Sequence, residues 1–231
     1  EGTDKLINRA EEAAAYRLIR GKGIGIDPLY INEKNGYMIN SFISNARNCD
    51  PFSEADVRLC MSKLRQFHSL ELKTKSVFDI FSKLEFYEEL REGRPSVYMD
   101  YAGTKENVMR LRAYIDRQKK TICLTHIDAV HDNFILHTDS NGKTCVNLID
   151  WEYSAMQDPH VDIAMFCIYA LYDKDRTDRL IDIYFEGGCP ENTRIKIYCY
   201  IASCGLLWSN WCEYKAGFGY EFGEYSIMQY H

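Results

Sequence analysis

Two strand-like apolar runs near the middle of the chain are interrupted by polar side chains. The first run reads THIDAVHDNFI, and the second, after a short turn, reads VNLIDWEYS. Four of the polar residues follow the spacing H-x-D-x-x-x-x-N and then a further acid: His126, Asp128, Asn133 and Asp150. Phosphoryl transfer requires a carboxylate that accepts a hydroxyl proton and oxygen ligands for Mg²⁺. The residue types and their spacing therefore favour phosphoryl-transfer chemistry.

Asp128 suits the base, and Asn133 and Asp150 suit the metal. One amide oxygen and one carboxylate are an adequate protein contribution, because Mg²⁺ keeps several of its waters. The alternative is that these residues form turns and a strand-end cap, with His126 as a core histidine. Each residue taken singly fits that alternative. The joint pattern of loop, flanking strands, hairpin and final acid matches a kinase catalytic loop.

The stretch LIDWEYSAMQDPHVDIAMF carries a resemblance to a known family. It resembles the choline/ethanolamine kinases, and especially the bacterial choline kinases, among the aminoglycoside-phosphotransferase-like small-molecule kinases. The similarity extends over essentially the whole chain. It implies that Asp128 is the base, that His126 belongs to the same catalytic motif, and that Asn133 and Asp150 bind magnesium.

Two further acids match the same family. Asp162 of VDIA would be a buried anchor for the catalytic loop, although an acid before an apolar helix is otherwise usually a surface cap. Glu152 of DWEY would provide either a further metal contact or polar support. The sequence leaves both alternatives open for Glu152.

Two tryptophans near the end of the chain are candidates for substrate binding. Trp208 and Trp211 are three apart on a predicted helix, and therefore lie on one face. Such a pair is often ordinary core, but aromatic faces hold a quaternary ammonium with about 2 kcal/mol of cation-π attraction when water is excluded. The pair also resembles the wall of the choline site in the family. Reserve candidates for this wall are Tyr153, Tyr169, Tyr172, Phe222 and Tyr225.

The end of the predicted strand YMINSFI is the candidate nucleotide contact. In the resembling fold it is the hinge whose backbone meets adenine, which implies Asn40, Ser41, Phe42 and Ile43. The resemblance also implies that a glutamate of the first helix pairs with a basic residue near the phosphates. Glu12 matches best and Glu11 is the alternative, and solvent exposure of both is the plainer interpretation.

Hydrophobic periodicity predicts a helix from Asp4 to Arg20, followed by a hairpin that turns at Asn35-Gly36. The connector GKGIG follows a helix and precedes a strand, so it is interpreted as a helix C-cap rather than a phosphate loop. Ser53 to Asp56 has the form of a capping box and opens a helix to Phe67. Further helices are predicted over residues 77–91, 105–118, 160–172, 177–185 and 191–214, and strands over 121–125, 134–137 and 145–149.

This order predicts an α+β, protein-kinase-like fold with two lobes. Residues 1–45 would be a remnant of the N-terminal lobe, and residues 46–231 the helical C-terminal lobe with the catalytic loop and substrate pocket. The opening EGTDKLINR resembles the end of a family segment that follows the phosphate-covering strands, and the final QYH looks short of a family C-terminal helix. We therefore expect a truncated N-terminal lobe, and weak nucleotide binding or inactivity of this chain by itself.

Composition excludes several other function classes. The net charge of -6 and the lack of a basic block argue against nucleic acid or an anionic membrane surface as the main partner. No apolar run approaches the ~20 residues that span a bilayer. The nine cysteines are scattered without CxxC pairs, which favours reduced core thiols in a cytoplasmic protein over disulfides or zinc.

The resulting hypothesis is a choline kinase that uses ATP and Mg²⁺. Its nearest alternatives are kinases of the same fold that act on ethanolamine, thiamine or an aminoglycoside. An aminoglycoside enzyme would have many acids around a wide cleft, so the tryptophan pair counts against that alternative. A choline-binding module without catalytic activity is the alternative from a different class. Oligomeric state does not follow from the sequence.

Overall fold

The computed structural model describes residues 5–231, which form α-helices and short antiparallel strands. The helices of this part are α1 (Arg9–Ile19), α2 (Glu54–Ser69), α3 (Ile80–Glu89), α4 (Tyr101–Arg117), α5 (His160–Tyr169), α6 (Lys174–Tyr184), α7 (Glu191–Ala216) and α8 (Glu224–Tyr230). The strands are β1 (Tyr30–Ile31), β2 (Met38–Ile39), β3 (Arg47–Asn48), β4 (Cys123–Thr125), β5 (Phe134–Thr138), β6 (Thr144–Leu148) and β7 (Ala155–Gln157).

The first helix begins at Arg9 because Asn8 caps it, and the predicted start at Asp4 lies outside the described residues. The Asn8 side chain accepts hydrogen bonds from the backbone N–H groups of Ala10 and Glu11 at 3.1 and 3.4 Å, which satisfies donors that have no partner inside the helix. After α1, Gly21 adopts φ +70°, in line with the interpretation of GKGIG as a helix end. Gly25 lies against β6, where an added Cβ would stand 2.5 Å from the carbonyl oxygen of Leu148.

The predicted hairpin forms, but its strands β1 and β2 are only two residues each. They pair antiparallel with Tyr30 opposite Ile39. Gly36 takes φ +72° in the turn, a left-handed conformation that glycine adopts without a steric penalty. The carbonyl of Asn32 accepts the N–H of Gly36 at 2.9 Å and closes the turn.

The capping box before α2 forms only in part. Ser53 Oγ accepts the N–H of Asp56 at 3.4 Å, as the pattern predicted. The Asp56 carboxylate does not return the bond, since it accepts from both Nη atoms of Arg47 and from the N–H of Asp50. Because Arg47 lies in β3, this pair fastens the strand to the start of α2.

Two small sheets carry the central polar residues. In one, β5 pairs with β6 and also with β3, and in the other β4 pairs with β7. The predicted β5–β6 hairpin places Phe134 opposite Leu148. One residue further, the N–H of Ile149 donates to the carbonyl of Asn133 at 3.0 Å. This register brings the polar residues of THIDAVHDNFI close to those of VNLIDWEYS.

Apolar side chains pack into two neighbouring clusters. One joins α1, α2 and α6 to the β5–β6 hairpin, and the other joins α3, α4, α7 and α8, while α5 contributes to both. Residues Val161–Ile168 of α5 are all buried, so this helix lies at the centre of the molecule. All nine cysteines are free, and all except Cys145 and Cys189 are buried. Within residues 5–231, no helix has both the length and the apolar composition needed to cross a membrane.

Candidate active site

The loop that follows β4 is held from behind by one buried carboxylate. Asp162, at the start of α5, has no solvent exposure. Its Oδ2 accepts the N–H of His126 at 3.0 Å, and its Oδ1 accepts the N–H of Ile127 at 2.8 Å. The structure thus gives Asp162 the buried anchoring position that the family resemblance implied.

Two residues of the site have left-handed backbone conformations. Ile127 has φ +72° and Asp150 has φ +67°. This region is unfavourable for a β-branched residue such as Ile127, and such conformations persist where surrounding contacts enforce them. For Ile127 that contact is the hydrogen bond from its N–H to Asp162.

Asp128, Asn133 and Asp150 meet at the end of the β5–β6 hairpin. Asn133 Nδ2 donates to the carbonyl oxygen of Asp128 at 2.9 Å and to its Oδ2 at 3.2 Å. With its amino group engaged in this way, Asn133 has the amide oxygen left as a ligand atom. Asp150 lies close enough for its charge to raise the pKa of Asp128. The structure therefore groups the three residues that the motif singled out.

His126 has the contacts of a positioning residue, and its assignment to the catalytic residues stays a prediction. Its ring is fully buried, and Nε2–H donates to the carbonyl of Ile149 at 2.9 Å. The ring also packs against Trp151, with centroids 4.6 Å apart. His126 therefore connects the loop to the residue before Asp150.

Burial and the charge of Asp150 raise the pKa values of two acids of the site. Burial, with a further contribution from the charge of Asp150, raises the pKa of Asp128 to about 7. Burial and the charge of Asp150 also raise the pKa of Glu152 to about 7, against the opposing charge of Arg9. A nearby cation favours the ionised form of a carboxylate, so these acids are favourable surroundings for a cation.

This donor set fits magnesium better than a metal enclosed by protein ligands. Within residues 5–231, no group of three or more His, Cys, Asp or Glu residues could hold a metal ion. One amide oxygen from Asn133 and one carboxylate from Asp150 suit Mg²⁺, which takes its remaining oxygens from water and phosphates.

Helix α1 borders the acids on one side. Glu12 is buried, and its carboxylate lies 3.1 Å from Arg9 Nη1, which is also 3.6 Å from Glu152. Burial raises the pKa of Tyr16, as do the charges of Glu12 and Asp150, while hydrogen bonds with the backbone of Asp150 oppose the rise. Sequence reasoning missed Tyr16, because a tyrosine on an apolar helix face is typical of core.

The two tryptophans lie together but in different surroundings. Their ring centroids are 5.9 Å apart. Trp208 is 7% exposed, and its Nε1–H donates to Met165 Sδ at 2.7 Å, so it is mainly a core residue. Trp211 is half-buried, and its Nε1–H donates to the hydroxyl of Tyr153 at 3.2 Å. Trp211 and Tyr153 are therefore the members of the predicted wall best placed for a ligand.

One further aromatic ring adjoins this wall, and a separate aromatic pair lies within electrostatic reach of Asp128. Phe222 lies 5.5 Å from Trp211 between centroids, and Tyr225 lies 5.5 Å from Tyr169. Burial is the main cause that raises the pKa of Tyr153, Tyr169 and Tyr225, and the charge of Asp128 contributes to each. The wall is therefore within electrostatic reach of the first acid.

Tyr172 lies away from this wall. Its hydroxyl donates to the carbonyl of Pro51, and its ring packs near Phe52 and Phe166, with centroids 6.2 and 6.0 Å away. Its position three residues after the end of α5 turns it towards the start of α2. Tyr87, by contrast, was missed by sequence reasoning: it is buried 6.4 Å from Trp208, and the charge of Asp128 contributes to its raised pKa after burial.

The candidate hinge Asn40–Ile43 is an irregular segment that follows β2. Asn40 and Ser41 are exposed, Phe42 is 91% exposed and Ile43 is half-buried. Its backbone is therefore accessible to a ligand. Its contact with adenine stays a prediction.

Comparison with known proteins adds to this geometry. A family model described as choline/ethanolamine kinase matches residues 1–200. Protein LicA of Haemophilus influenzae is 24% identical over 237 residues, which cover 97% of this chain and 86% of that protein. The crystal structure of choline kinase LicA from Streptococcus pneumoniae is 26% identical, with a TM-score of 0.85, over 100% of this chain and 80% of that one. A structure of LicA in complex with AMP gives 26% identity and a TM-score of 0.83, over 99% and 78%.

A family match over most of the sequence and the close agreement of the folds lead to one assignment. The predicted α+β, protein-kinase-like fold with a helical C-terminal part is confirmed. ATP-dependent phosphorylation of a small molecule accords with the acids gathered at the hairpin end. The chain belongs to the choline/ethanolamine kinase family.

Proposed function

We propose that this kinase transfers the γ-phosphoryl group of ATP to the hydroxyl of choline and forms phosphocholine. The observation that carries this proposal is the aromatic wall around Trp211 and Tyr153, within electrostatic reach of Asp128. A quaternary ammonium has no N–H to donate, so it gains more from aromatic faces than from hydrogen-bond acceptors. An ammonium held at this wall directs the hydroxyl of choline towards the acid.

In this mechanism Asp128 orients the choline hydroxyl and accepts its proton. A carboxylate whose pKa is near 7 is a stronger base than an ordinary aspartate and is still largely ionised at slightly alkaline pH. Asn133 keeps Asp128 in place through its Nδ2 donor. Asn133 and Asp150 would hold Mg²⁺, and the bound ion supplies charge neutralisation for the phosphates of ATP.

The remaining residues of the site are assigned either to nucleotide binding or to support of the acids. We propose that the backbone of Asn40–Ile43 contacts adenine and that Glu12 lies on the phosphate side, next to Arg9. Glu152 would support the acids through Arg9. Residues 1–45 would then belong to the nucleotide-binding lobe and residues 46–231 to the lobe that binds choline. ATP as the donor suits a cytoplasmic reaction.

The test is ATP consumption by the full-length protein with choline, ethanolamine and kanamycin as separate acceptors. We expect kcat/KM for choline to exceed that for ethanolamine by at least about 10-fold, and no turnover of kanamycin, because only choline gains fully from the aromatic wall. Choline binding without turnover would instead support a binding module. Preference for ethanolamine would overturn the substrate assignment and leave the kinase assignment intact.

A further inference from the structure

A buried chain of hydrogen bonds extends from helix α6 to the catalytic loop through a histidine that the motif does not contain. His68, near the end of α2, is 7% exposed. Its Nε2 is 2.9 Å from Asp162 Oδ2, and its Nδ1 is 2.8 Å from the hydroxyl of Tyr184. Asp162 in turn accepts the N–H groups of His126 and Ile127.

We infer that His68 is a positioning residue for phosphoryl transfer, which it serves by fixing the Asp162 carboxylate that holds the catalytic loop. Oδ2 of Asp162 is shared between His68 and the N–H of His126, while Oδ1 serves Ile127. A carboxylate rotates about its Cβ–Cγ bond, so a third donor from outside the loop fixes its plane. Without that donor, rotation would disturb both bonds to the loop.

The α6 end of this hydrogen-bond chain is also held in place. Arg65, one turn before His68 on α2, donates through Nη1 to the carbonyls of Ile183 and Tyr184 at 2.8 and 3.1 Å. These carbonyls are in the last turn of α6, where the regular intrahelical donors four residues further on are missing. Arg65 therefore fixes Tyr184, and Tyr184 fixes the ring of His68.

The loop needs such support because of its backbone. Ile127 has φ +72°, a conformation that a β-branched residue leaves when nothing restrains it. Relaxation of Ile127 would move Asp128, the next residue, away from the acceptor hydroxyl. A displacement of about 1 Å at a reacting group costs on the order of 100-fold in rate.

The test compares His68→Leu with His68→Gln, whose amide retains an N–H donor near the position of Nε2. We expect His68→Leu to lower kcat about 30-fold while KM for ATP and for choline changes less than about twofold, because the groups that bind substrate are unchanged. His68→Gln should recover most of the loss. Equal kcat in the two variants and the wild type would overturn the inference.

A matched control separates positioning from general destabilisation. Leu64→Ala removes a fully buried side chain one turn earlier on the same helix, and an apolar leucine side chain contributes no hydrogen bond to the chain. It should lower the melting temperature at least as much as His68→Leu does, and kcat measured well below both transitions should stay near the wild-type value. A similar loss of kcat in both variants would show that His68 acts only through stability.

A second variant tests the backbone argument directly. Glycine adopts φ +72° freely, so in an Ile127→Gly background the loop needs less restraint. We expect His68→Leu to cost no more than about threefold in kcat in that background, against about 30-fold in the parent. Equal losses in the two backgrounds would contradict the inference.

Hydrogen exchange gives a readout that needs no turnover. The amides of His126 and Ile127 should exchange at least about tenfold faster in His68→Leu than in the wild type, with amides of α4 unchanged. Unchanged exchange at these two amides would overturn the inference whatever the acceptor is. Failure of the proposed choline activity is therefore distinguishable from failure of this inference.

Discussion

Asp128 carries a cost to folding that is tied to its proposed role as the base. Its pKa is raised by burial and by Asp150 to about 7, whereas an unfolded aspartate titrates near 3.9. The folded protein therefore binds this proton more tightly than the unfolded chain does. The stability contributed by the protonated group is complete below about pH 4 and is lost as the pH rises to about 7.

We expect Asp128→Asn to stabilise the protein without Mg²⁺ and nucleotide, because the amide cannot ionise and still accepts from Asn133. Since Asp128 is partly exposed, the gain in unfolding free energy should be about 2 kcal/mol at pH 8. The gain should shrink steadily as the pH is lowered towards 4. Thermal unfolding in EDTA across this range measures it, and a gain that grows towards acid would contradict the assigned shift.

Truncation of Trp211 should mainly affect choline binding, and truncation of Trp208 should mainly affect stability. Trp211 is half-buried at the wall, so Trp211→Ala should raise KM for choline about 10-fold or more with little loss of stability. Trp208 is 7% exposed, so Trp208→Ala should lower the unfolding free energy by about 3–5 kcal/mol. Choline kinetics and urea unfolding of both variants measure the two effects. A larger KM change for Trp208 among folded variants would reverse these roles.

At the scale of elements, the start of α2 is set by a local signal. Ser53 Oγ satisfies the N–H of Asp56. Ser53→Ala should lower the unfolding free energy by about 1 kcal/mol, because that donor loses its partner. Ser69→Ala, which removes a hydroxyl at the other end of the same helix, is the matched control and should have a smaller effect. Equal losses in urea unfolding would show that the cap adds no specific stability.

Elements fixed by local signals were predictable from the sequence, and those fixed by distant partners were not. The β5–β6 hairpin and the α2 cap depend on neighbouring residues. The hairpin forms as predicted, and the Ser53 half of the capping box forms. β3 and β7 are two and three residues long, and each is defined only by its pairing with a strand far along the chain. Helix α8 was also missed, because GFGYEFGEY gives a weak apolar period.

Residues of the candidate site also differ in whether a local pattern or a distant partner identifies them. Asp128, Asn133 and Asp150 were identifiable because they follow a spacing, and the hairpin register brings them together. His68 and Tyr16 belong to no motif, since each touches the site from a helix distant in sequence. Their partners become visible only when the helices pack.

At the scale of the whole molecule, a buried ion pair joins the long helix α7 to the sheet formed by β4 and β7. Lys196 of α7 is 1% exposed, and its Nζ lies 2.5 Å from Oδ2 of the fully buried Asp158, which follows β7. The hydroxyl of Tyr200 donates to the same carboxylate at 3.1 Å. Because β7 pairs with β4, which leads into the catalytic loop, this contact fixes the sheet behind the site.

Removal of one partner should therefore be costly. We expect Lys196→Met to lower the unfolding free energy by about 3–5 kcal/mol, because Asp158 is left as a buried charge without its cation. Lys174→Met breaks an exposed pair with Asp178 and should cause a much smaller change. Urea unfolding measures both variants. Similar small changes in the two would mean that the buried pair contributes little to the assembly of the helical part.

The most direct test of phosphoryl transfer to choline at Asp128 is ³¹P NMR of the full-length protein with ATP, Mg²⁺ and choline. We predict a growing phosphocholine resonance that matches the loss of the γ-phosphate signal, and at least about a 100-fold slower reaction for Asp128→Ala. Asp116→Ala, on an exposed face of α4, should react at the wild-type rate. Phosphocholine formation at an undiminished rate by Asp128→Ala, or ATP loss without phosphocholine, would contradict the account.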